Sequence, residues 1–324
     1  MPIYNEDSII EKTIKSLLKQ ELGNYDVEIF AIDGNSNDST AEIIKGIAKY
    51  DSRVKYIFNQ KRKTPIAFNI GIEASNGKYI AILGAHTVYN KNYICECINE
   101  LERTKSVGCS GMVQLKTVKK NSTSKLTYWV LTSKFGVSSQ SFRTQNRGFV
   151  KSLPYPIFKK NIIKKIGGYN EKLHRNQDND LNYRLIENGY KLYLTDKTSS
   201  KYYVDPSLEK LYMYSFKNGM WNAKSIFINY RSMRMHHILP AFFVFYILIL
   251  TTLIILMIET IKTTLLAIYL IPISLYLFLS ILETSLIIYN NKSIECLRLP
   301  LVFFKFHFSY GLGFIVGFIR KLFS

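Results

Sequence analysis

The chain is short of cysteine and of acidic residues, and each shortage excludes something. Four cysteines (Cys95, Cys97, Cys109 and Cys296) stand in 324 residues. They are too few and too irregularly spaced for a disulfide framework or the paired Cys-x-x-Cys of a zinc site. The part that carries them suits a reducing compartment. Asp and Glu number 24 against 43 Lys and Arg, a formal net charge of +19. No Gly-x-Gly-x-x-Gly and no Gly-x-x-x-x-Gly-Lys-Ser/Thr occurs, so a Rossmann dinucleotide site and a P-loop both lack their signature. No basic stripe interleaved with aromatics argues for single-stranded nucleic acid, and nucleic acid is not an expected partner. The opening Met1-Pro2-Ile3-Tyr4-Asn5-Glu6 lacks a signal-peptide pattern. Hydrophobic residues make up 47% of the chain, too many for a disordered one.

What is present falls into two unlike halves. Ile238 to Ile258 is an uncharged apolar run of 21 residues, long enough to cross a bilayer. Thr263 to Leu282 is a second, interrupted only by Pro272. Leu299 to Ile319 is a weaker third, because Lys305 and His307 lie within it, and a re-entrant or interfacial hairpin is the alternative there. Lys224, Arg231 and Arg234 precede the first run, and Lys292 and Arg298 lie between the second and third. By the positive-inside rule these mark the cytoplasmic side. Arg320 and Lys321 run against that bias if all three segments cross. The stretch 206–236, with Leu211-Tyr212-Met213-Tyr214-Ser215-Phe216-Lys217 at its centre, is expected to be an amphipathic interfacial helix.

Residues 1–205 alternate strand and helix patterns. Strands are expected at 26–32, 53–58, 78–83 and 106–115. Helices are expected from the capping box Ser39-Thr40-Ala41-Glu42 to about Lys49, from Thr64-Pro65 to Ala74, and over 90–103. This β-α rhythm predicts an α/β fold with a mostly parallel sheet covered by helices on both faces. Ligands of such sheets bind at the carboxyl ends of strands. That directs attention to Asp33-Gly34-Asn35-Ser36-Asn37-Asp38-Ser39-Thr40 and to Gly84-Ala85-His86-Thr87. In the first, Asp33 and Asp38 are also ordinary turn residues. Further on, Asp178 and Asp180 sit about 200° apart on an expected helix, so only one can face a ligand. The ordinary alternative for Asp178 is a helix N-cap.

Four motifs occur in order: Pro2-Ile3-Tyr4-Asn5-Glu6, the Asp33 loop, the Gly84 loop, and Gly167-Gly168-Tyr169-Asn170-Glu171 followed by Gln177-Asp178-Asn179-Asp180-Leu181-Asn182-Tyr183-Arg184-Leu185. Together they resemble the family 2 glycosyltransferases of GT-A fold, and most of all the membrane-anchored succinoglycan-biosynthesis subgroup. The resemblance implies a GT-A domain over 1–205, an interfacial segment over 206–236 and a transmembrane region of two to three spans over 237–324. It implies an inverting enzyme that moves one sugar from a nucleoside-diphosphate-sugar, a UDP-sugar by expectation. The acceptor would be a polyprenyl-linked saccharide, on the cytoplasmic side of the inner membrane, in exopolysaccharide, capsule or cell-surface polysaccharide assembly. The Gln-x-x-Arg-Trp of processive relatives is missing, which favours single transfer.

The same resemblance assigns roles. Asp178 is the general base, with Asp180, Gln177 and Arg184 supporting it or contacting the acceptor. Pro2, Tyr4, Glu6, Asp33, Lys61, Lys63, Ala85 and His86 bind the donor. Two departures bear on this. The family's opening strand lies before its Pro-x-Tyr-Asn motif, so an upstream start or a truncated gene is expected. Gly84 stands where the family has the first Asp of its metal-binding loop, which puts a Mn²⁺ or Mg²⁺ cofactor in doubt. His86 alone could ligate, and hard cations prefer oxygen. An aspartate at position 84 is expected to raise metal affinity. The alternative function is a catalytically impaired membrane scaffold that binds a sugar nucleotide.

Overall fold

The computed structural model describes residues 1–117, 121–138, 141–204, 207–256 and 263–323. The strands are β1 (Pro2–Ile3), β2 (Ile29–Asp33), β3 (Val54–Phe58), β4 (Tyr79–Ala81), β5 (Thr87–Tyr89), β6 (Gly108–Thr117), β7 (Gly148–Val150), β8 (Ile157–Lys159) and β9 (Leu192–Val204). The helices are α1 (Ile10–Leu18), α2 (Thr40–Tyr50), α3 (Thr64–Ala74), α4 (Tyr93–Arg103), α5 (Ser122–Thr132), α6 (Lys160–Lys165), α7 (Gln177–Glu187), α8 (Leu208–Asn229), α9 (Met235–Leu256), α10 (Thr263–Asn291) and α11 (Leu299–Leu322). The chain forms two compact units, one of Met1–Lys116 with Gln140–Tyr203 and one of Thr117–Ser139 with Val204–Ser324. The boundary expected at 205/206 lies outside the described residues.

The first unit is α/β, as the alternation of patterns predicts. Its parallel part is the sheet β1-β2-β3, with Pro2 opposite Ile32 and Ile29 opposite Val54. The second sheet runs β4-β8-β6-β9-β5, with β7 on β9. Its described pairs β4/β8, β6/β8, β5/β9 and β7/β9 are antiparallel. Parallel order therefore stops at β3. The reason is that β8 returns beside β4 from a distant part of the chain, a pairing no local pattern encodes. α1 turns Ile10, Ile14 and Leu17 onto the first sheet, where they join Ile3, Ile29, Ala31 and Ile44 in one core. Each buried Ile or Leu side chain contributes about 1.5–3 kcal/mol. A second core gathers Ile72, Ile80, Phe158, Ile163, Leu181 and Leu185, and so carries α3 and α7. A cavity of about 400 Å³ meets the amino-terminal half of β2 and the edge of β4, with Met1, Tyr25 and Tyr79 among its walls. The motif loops leave the opposite, carboxyl end of β2.

The second unit is helical. α9, α10 and α11 are long and apolar enough to cross a membrane. They expose large side chains such as Phe242, Ile268 and Phe278, as lipid-facing helices do. α11 is one unbroken helix of 24 residues, which corrects the hairpin alternative. α8 lays a face of small and polar residues on α11: Ser215 Oγ donates to the Phe306 carbonyl at 2.7 Å and Asn222 Nδ2 to the Tyr310 hydroxyl at 2.7 Å. Gly219 of α8 faces the Tyr310 carbonyl and Gly313 of α11 faces that of Phe216, leaving no room for a β-carbon. α5 belongs to this unit too. Lys125 pairs with Glu295 at 2.9 Å, and the Phe135 ring lies 5.1 Å from that of Phe303.

Candidate active site

Because β1, β2 and β3 are parallel, their carboxyl ends lie together and the loops that follow converge. Each loop holds one non-glycine residue in left-handed conformation: Asn5 (φ 51°), Asn35 (φ 65°) and Arg62 (φ 53°). Asn5 N–H donates to Ser36 Oγ at 2.9 Å, Asn37 N–H to Asn5 Oδ1 at 3.0 Å, and Glu6 N–H to Thr40 Oγ1 at 2.8 Å. A β-carbon on Gly34 would lie 3.4 Å from the Ile3 carbonyl, 3.8 Å from Arg62 Cα and 3.9 Å from Tyr4 Cβ. The first three loops thus meet over Gly34. Of the expected donor residues, Pro2 sits in β1, Tyr4 is 53% exposed, and Lys61 is exposed beside a half-buried Lys63. The capping box does not form. Ser39 makes no side-chain cap bond; instead Asp38 Oδ1 accepts from Thr40 N–H at 3.0 Å.

Asp33 ends β2 and is buried. Its Oδ1 accepts from Ser36 N–H at 3.1 Å and Ser36 O–H at 2.6 Å, and its Oδ2 accepts from the Tyr56 hydroxyl at 2.9 Å. Burial, reinforced by that carboxylate, pushes the Tyr56 phenol up to about 12. The turn contacts that Asp residues form are therefore present, and Tyr56 adds a tie from β3.

Three side chains from elsewhere fix the Gly84-Ala85-His86 loop. The Tyr89 hydroxyl accepts from Gly84 N–H at 2.8 Å, Thr13 Oγ1 donates to the Ala85 carbonyl at 2.6 Å, and Glu6 Oε1 lies 3.2 Å from His86 Nδ1. Ala85 is buried, whereas the His86 side chain keeps 45% of its surface. A β-carbon on Gly84 would lie 2.9 Å from Cε1 of the Tyr155 ring. An aspartate at 84 would need this aromatic ring to shift. The donor set near the loop is one imidazole and one carboxylate already bonded to each other. Among the described residues no group of three His, Cys, Asp or Glu side chains converges. These residues do not fit an ordinary oxygen-rich Mg²⁺ or Mn²⁺ site.

The motifs over 167–171 and 177–185 are built on α3 and α7. Asn69 of α3 donates through Nδ2 to the Tyr169 carbonyl at 2.9 Å and to Glu171 Oε1 at 2.9 Å, and accepts from Tyr169 N–H at 2.8 Å. Gly168 has φ 65° and would place a β-carbon 2.7 Å from Asn69 Oδ1, so only glycine fits. Arg184 then locks this turn to α7. Its Nε donates to Asp180 Oδ2 at 2.9 Å, Nη1 to the Ile166 carbonyl at 2.7 Å and Nη2 to the Gly168 carbonyl at 2.7 Å.

That geometry separates the two aspartates. Asp180 is buried against Arg184. Asp178 lies on an exposed position of the first turn, yet the protein around it desolvates the carboxyl enough to push its pKa above the ordinary value. Asn176, not Asp178, is the N-cap, which corrects the capping alternative. Gln177 Oε1 is buried with no hydrogen-bond partner among the described residues. Sequence reasoning missed Thr13, Tyr56, Asn69, Tyr89 and Tyr155. Asn69 carried a signal, a polar residue inside the apolar run Ile66-Ala67-Phe68-Asn69-Ile70. Thr13 carried none, since it meets its loop 72 positions away.

The chain was compared with known proteins on this footing. Over 237 residues it is 31% identical to the succinoglycan biosynthesis protein ExoA of Rhizobium meliloti, covering 72% of this chain and 70% of that protein. It is 25% identical to a dolichyl N-acetyl-alpha-D-glucosaminyl phosphate 3-beta-D-2,3-diacetamido-2,3-dideoxy-beta-D-glucuronosyltransferase of Methanococcus voltae, over 99% of this chain and 96% of that one. A shorter match, 33% identical over 26% of this chain and 27% of the other, is to a GalNAc(5)-diNAcBac-PP-undecaprenol beta-1,3-glucosyltransferase of Campylobacter jejuni. Residues 1–167 match the model for glycosyl transferase family 2, and with the parallel sheet, its converging loops and the Asp178 helix described, the chain belongs to that family.

Proposed function

We propose that this glycosyltransferase transfers a single sugar, with inversion, from a nucleoside-diphosphate-sugar to a polyprenyl-linked saccharide in surface polysaccharide assembly, with a UDP-sugar as donor. The observation that carries the reading is Asp178: a carboxylate on the open side of α7, raised by desolvation and unlike the buried, bonded Asp33 and Asp180. A raised carboxylate is the better base near neutral pH. In the proposed step the acceptor hydroxyl attacks the anomeric carbon. The bond to the leaving phosphate breaks, and the hydroxyl proton passes to Asp178. The unpartnered Gln177 Oε1 supports an acceptor contact beside it, while Asp180 and Arg184 hold the helix start in place.

Tyr4, Glu6, Asp33, Lys61 and Lys63 surround the converging loops and bind the donor in this reading, with Tyr4 stacking on the base. A lipid-linked acceptor is supported by the three apolar helices and by relatives named for dolichyl phosphate and undecaprenol substrates. We assign the catalytic unit to the cytoplasmic face of a multi-pass inner-membrane protein, because Lys224, Arg231, Arg234, Lys292 and Arg298 flank the spans. The test is transfer from a panel of radiolabelled UDP-, GDP- and dTDP-sugars to polyprenyl-linked saccharides in membranes containing the protein. One labelled sugar per acceptor is expected. Nucleotide binding without transfer from any donor would favour the scaffold alternative, and extended products would overturn single transfer.

A further inference from the structure

We propose that a Glu6–His86 couple, rather than a divalent metal, supplies the protein's contact to the leaving diphosphate; this rests on the donor-site reading above. Three observations carry it. First, the place a metal-binding carboxylate would take at position 84 is occupied: a β-carbon there lies 2.9 Å from the Tyr155 ring and 3.4 Å from Thr87 Oγ1. Tyr155 is itself held, because its carbonyl accepts from the Tyr93 hydroxyl at 2.9 Å and its ring packs edge-on against Tyr89 with centroids 5.8 Å apart. Second, the loop backbone is already committed, with Gly84 N–H bonded to Tyr89 and the Ala85 carbonyl to Thr13. His86 is left as the side chain that protrudes from it. Third, Glu6 lies 3.2 Å from His86 Nδ1 and comes from the loop after β1. It ties the imidazole to the converging loops where a nucleotide's phosphates would lie.

The chemistry follows from the two ring nitrogens. Nδ1–H donates to Glu6 Oε1, which fixes the ring's orientation. With the diphosphate bound both ring nitrogens carry a proton, and Nε2–H, on the opposite edge of the half-exposed ring, is then a charge-assisted donor to a phosphate oxygen. In transfer, the acceptor oxygen–anomeric carbon bond forms as the carbon–phosphate oxygen bond breaks. The acceptor proton goes to Asp178, and the electron pair leaves on the diphosphate, whose added charge meets His86. Glu6 is a positioning residue in this scheme, and His86 the group that touches the leaving group.

The experiment is calorimetry on the full-length protein in detergent, with UDP, GDP, dTDP and the matching monophosphates, in EDTA and then with Mn²⁺ or Mg²⁺. At least one diphosphate is expected to bind in EDTA. His86→Gln should weaken that binding by about ten- to a hundredfold, the weight of a charge-assisted hydrogen bond, and leave the monophosphate within about threefold. Glu6→Ala should reproduce the loss and Glu6→Gln, which keeps the acceptor for Nδ1, should restore most of it. The ¹⁵N spectrum of His86 should show a hydrogen-bonded Nδ1–H that Glu6→Ala removes, a change a merely structural residue would not produce. Binding that vanishes in EDTA and returns with Mn²⁺, or that His86→Gln leaves unchanged, overturns the couple while the transfer reading stands. Absence of diphosphate binding with or without metal overturns both.

Discussion

The two halves of the site treat their carboxylates in opposite ways. In the loops after β1 and β2, Asp33 is buried and gives both oxygens to protein donors, and Asp38 and Glu6 are bonded to Thr40 and His86. On α7, Asp180 is bonded to Arg184, while Asp178 is desolvated and exposed at the helix start. The difference is one of environment: a carboxylate bonded to side chains brought by folding is fixed in place, and a desolvated one that meets only backbone N–H groups of its own helix start has its proton affinity raised.

The comparison can be broken hardest at Arg184. Arg184→Ala removes the cation facing a buried Asp180 and leaves two loop carbonyls without their donor. The expected loss is about 3 kcal/mol of stability, read as a fall in the unfolding midpoint, with transfer lost in parallel. A midpoint within error of the parent would show that the clamp is not what positions α7.

Asp178→Asn sharpens the contrast from the other side. Turnover should fall by roughly 10² or more while nucleotide affinity persists. Stability should not fall, because replacing a desolvated carboxylate by a neutral amide removes the cost of holding its charge. The sign of the pH dependence follows. A carboxyl raised in the folded protein is deprotonated only above that raised value, so the acid limb of kcat should lie higher than an ordinary Asp allows. A pH profile flat down to the ordinary Asp range, or near-normal turnover in Asp178→Asn, would remove Asp178 as the base.

The smallest expected effect lies at Asp33. Asp33→Asn keeps an acceptor for Ser36 but changes what faces Tyr56. Nucleoside diphosphate binding should weaken about tenfold, the scale of one good hydrogen bond. The unfolding midpoint should drop by a few degrees. A midpoint change with no change in affinity would reduce Asp33 to a turn residue.

Much of the site was legible because its motifs are local. Lys63 to Ser75 behaved as expected, with Thr64-Pro65 opening α3 and Ala74 closing it, since proline at the first turn fixes φ without losing a bonded N–H. The 200° separation of Asp178 and Asp180 implied that only one could face a ligand, and in the fold Asp180 is buried while Asp178 is exposed. Other local signals misled. The Ser39 capping box gave way to Asp38, which accepts from a different N–H, that of Thr40 at the first helical position. The end of parallel order after β3 was invisible, as was the allegiance of α5 to the helical unit.

The sequence by itself determined the α/β alternation, the apolar helices, the family and the candidate motif loops, because each is written in periodicity or in short ordered motifs. Only the tertiary structure decided which of those residues are free to act. Tyr155 fills the space beside Gly84 from 71 positions away, Thr13 bolts Ala85, Glu6 turns His86, and Arg184 claims Asp180. Whether a carboxylate is bonded away or left exposed depends on the neighbours that folding brings to it.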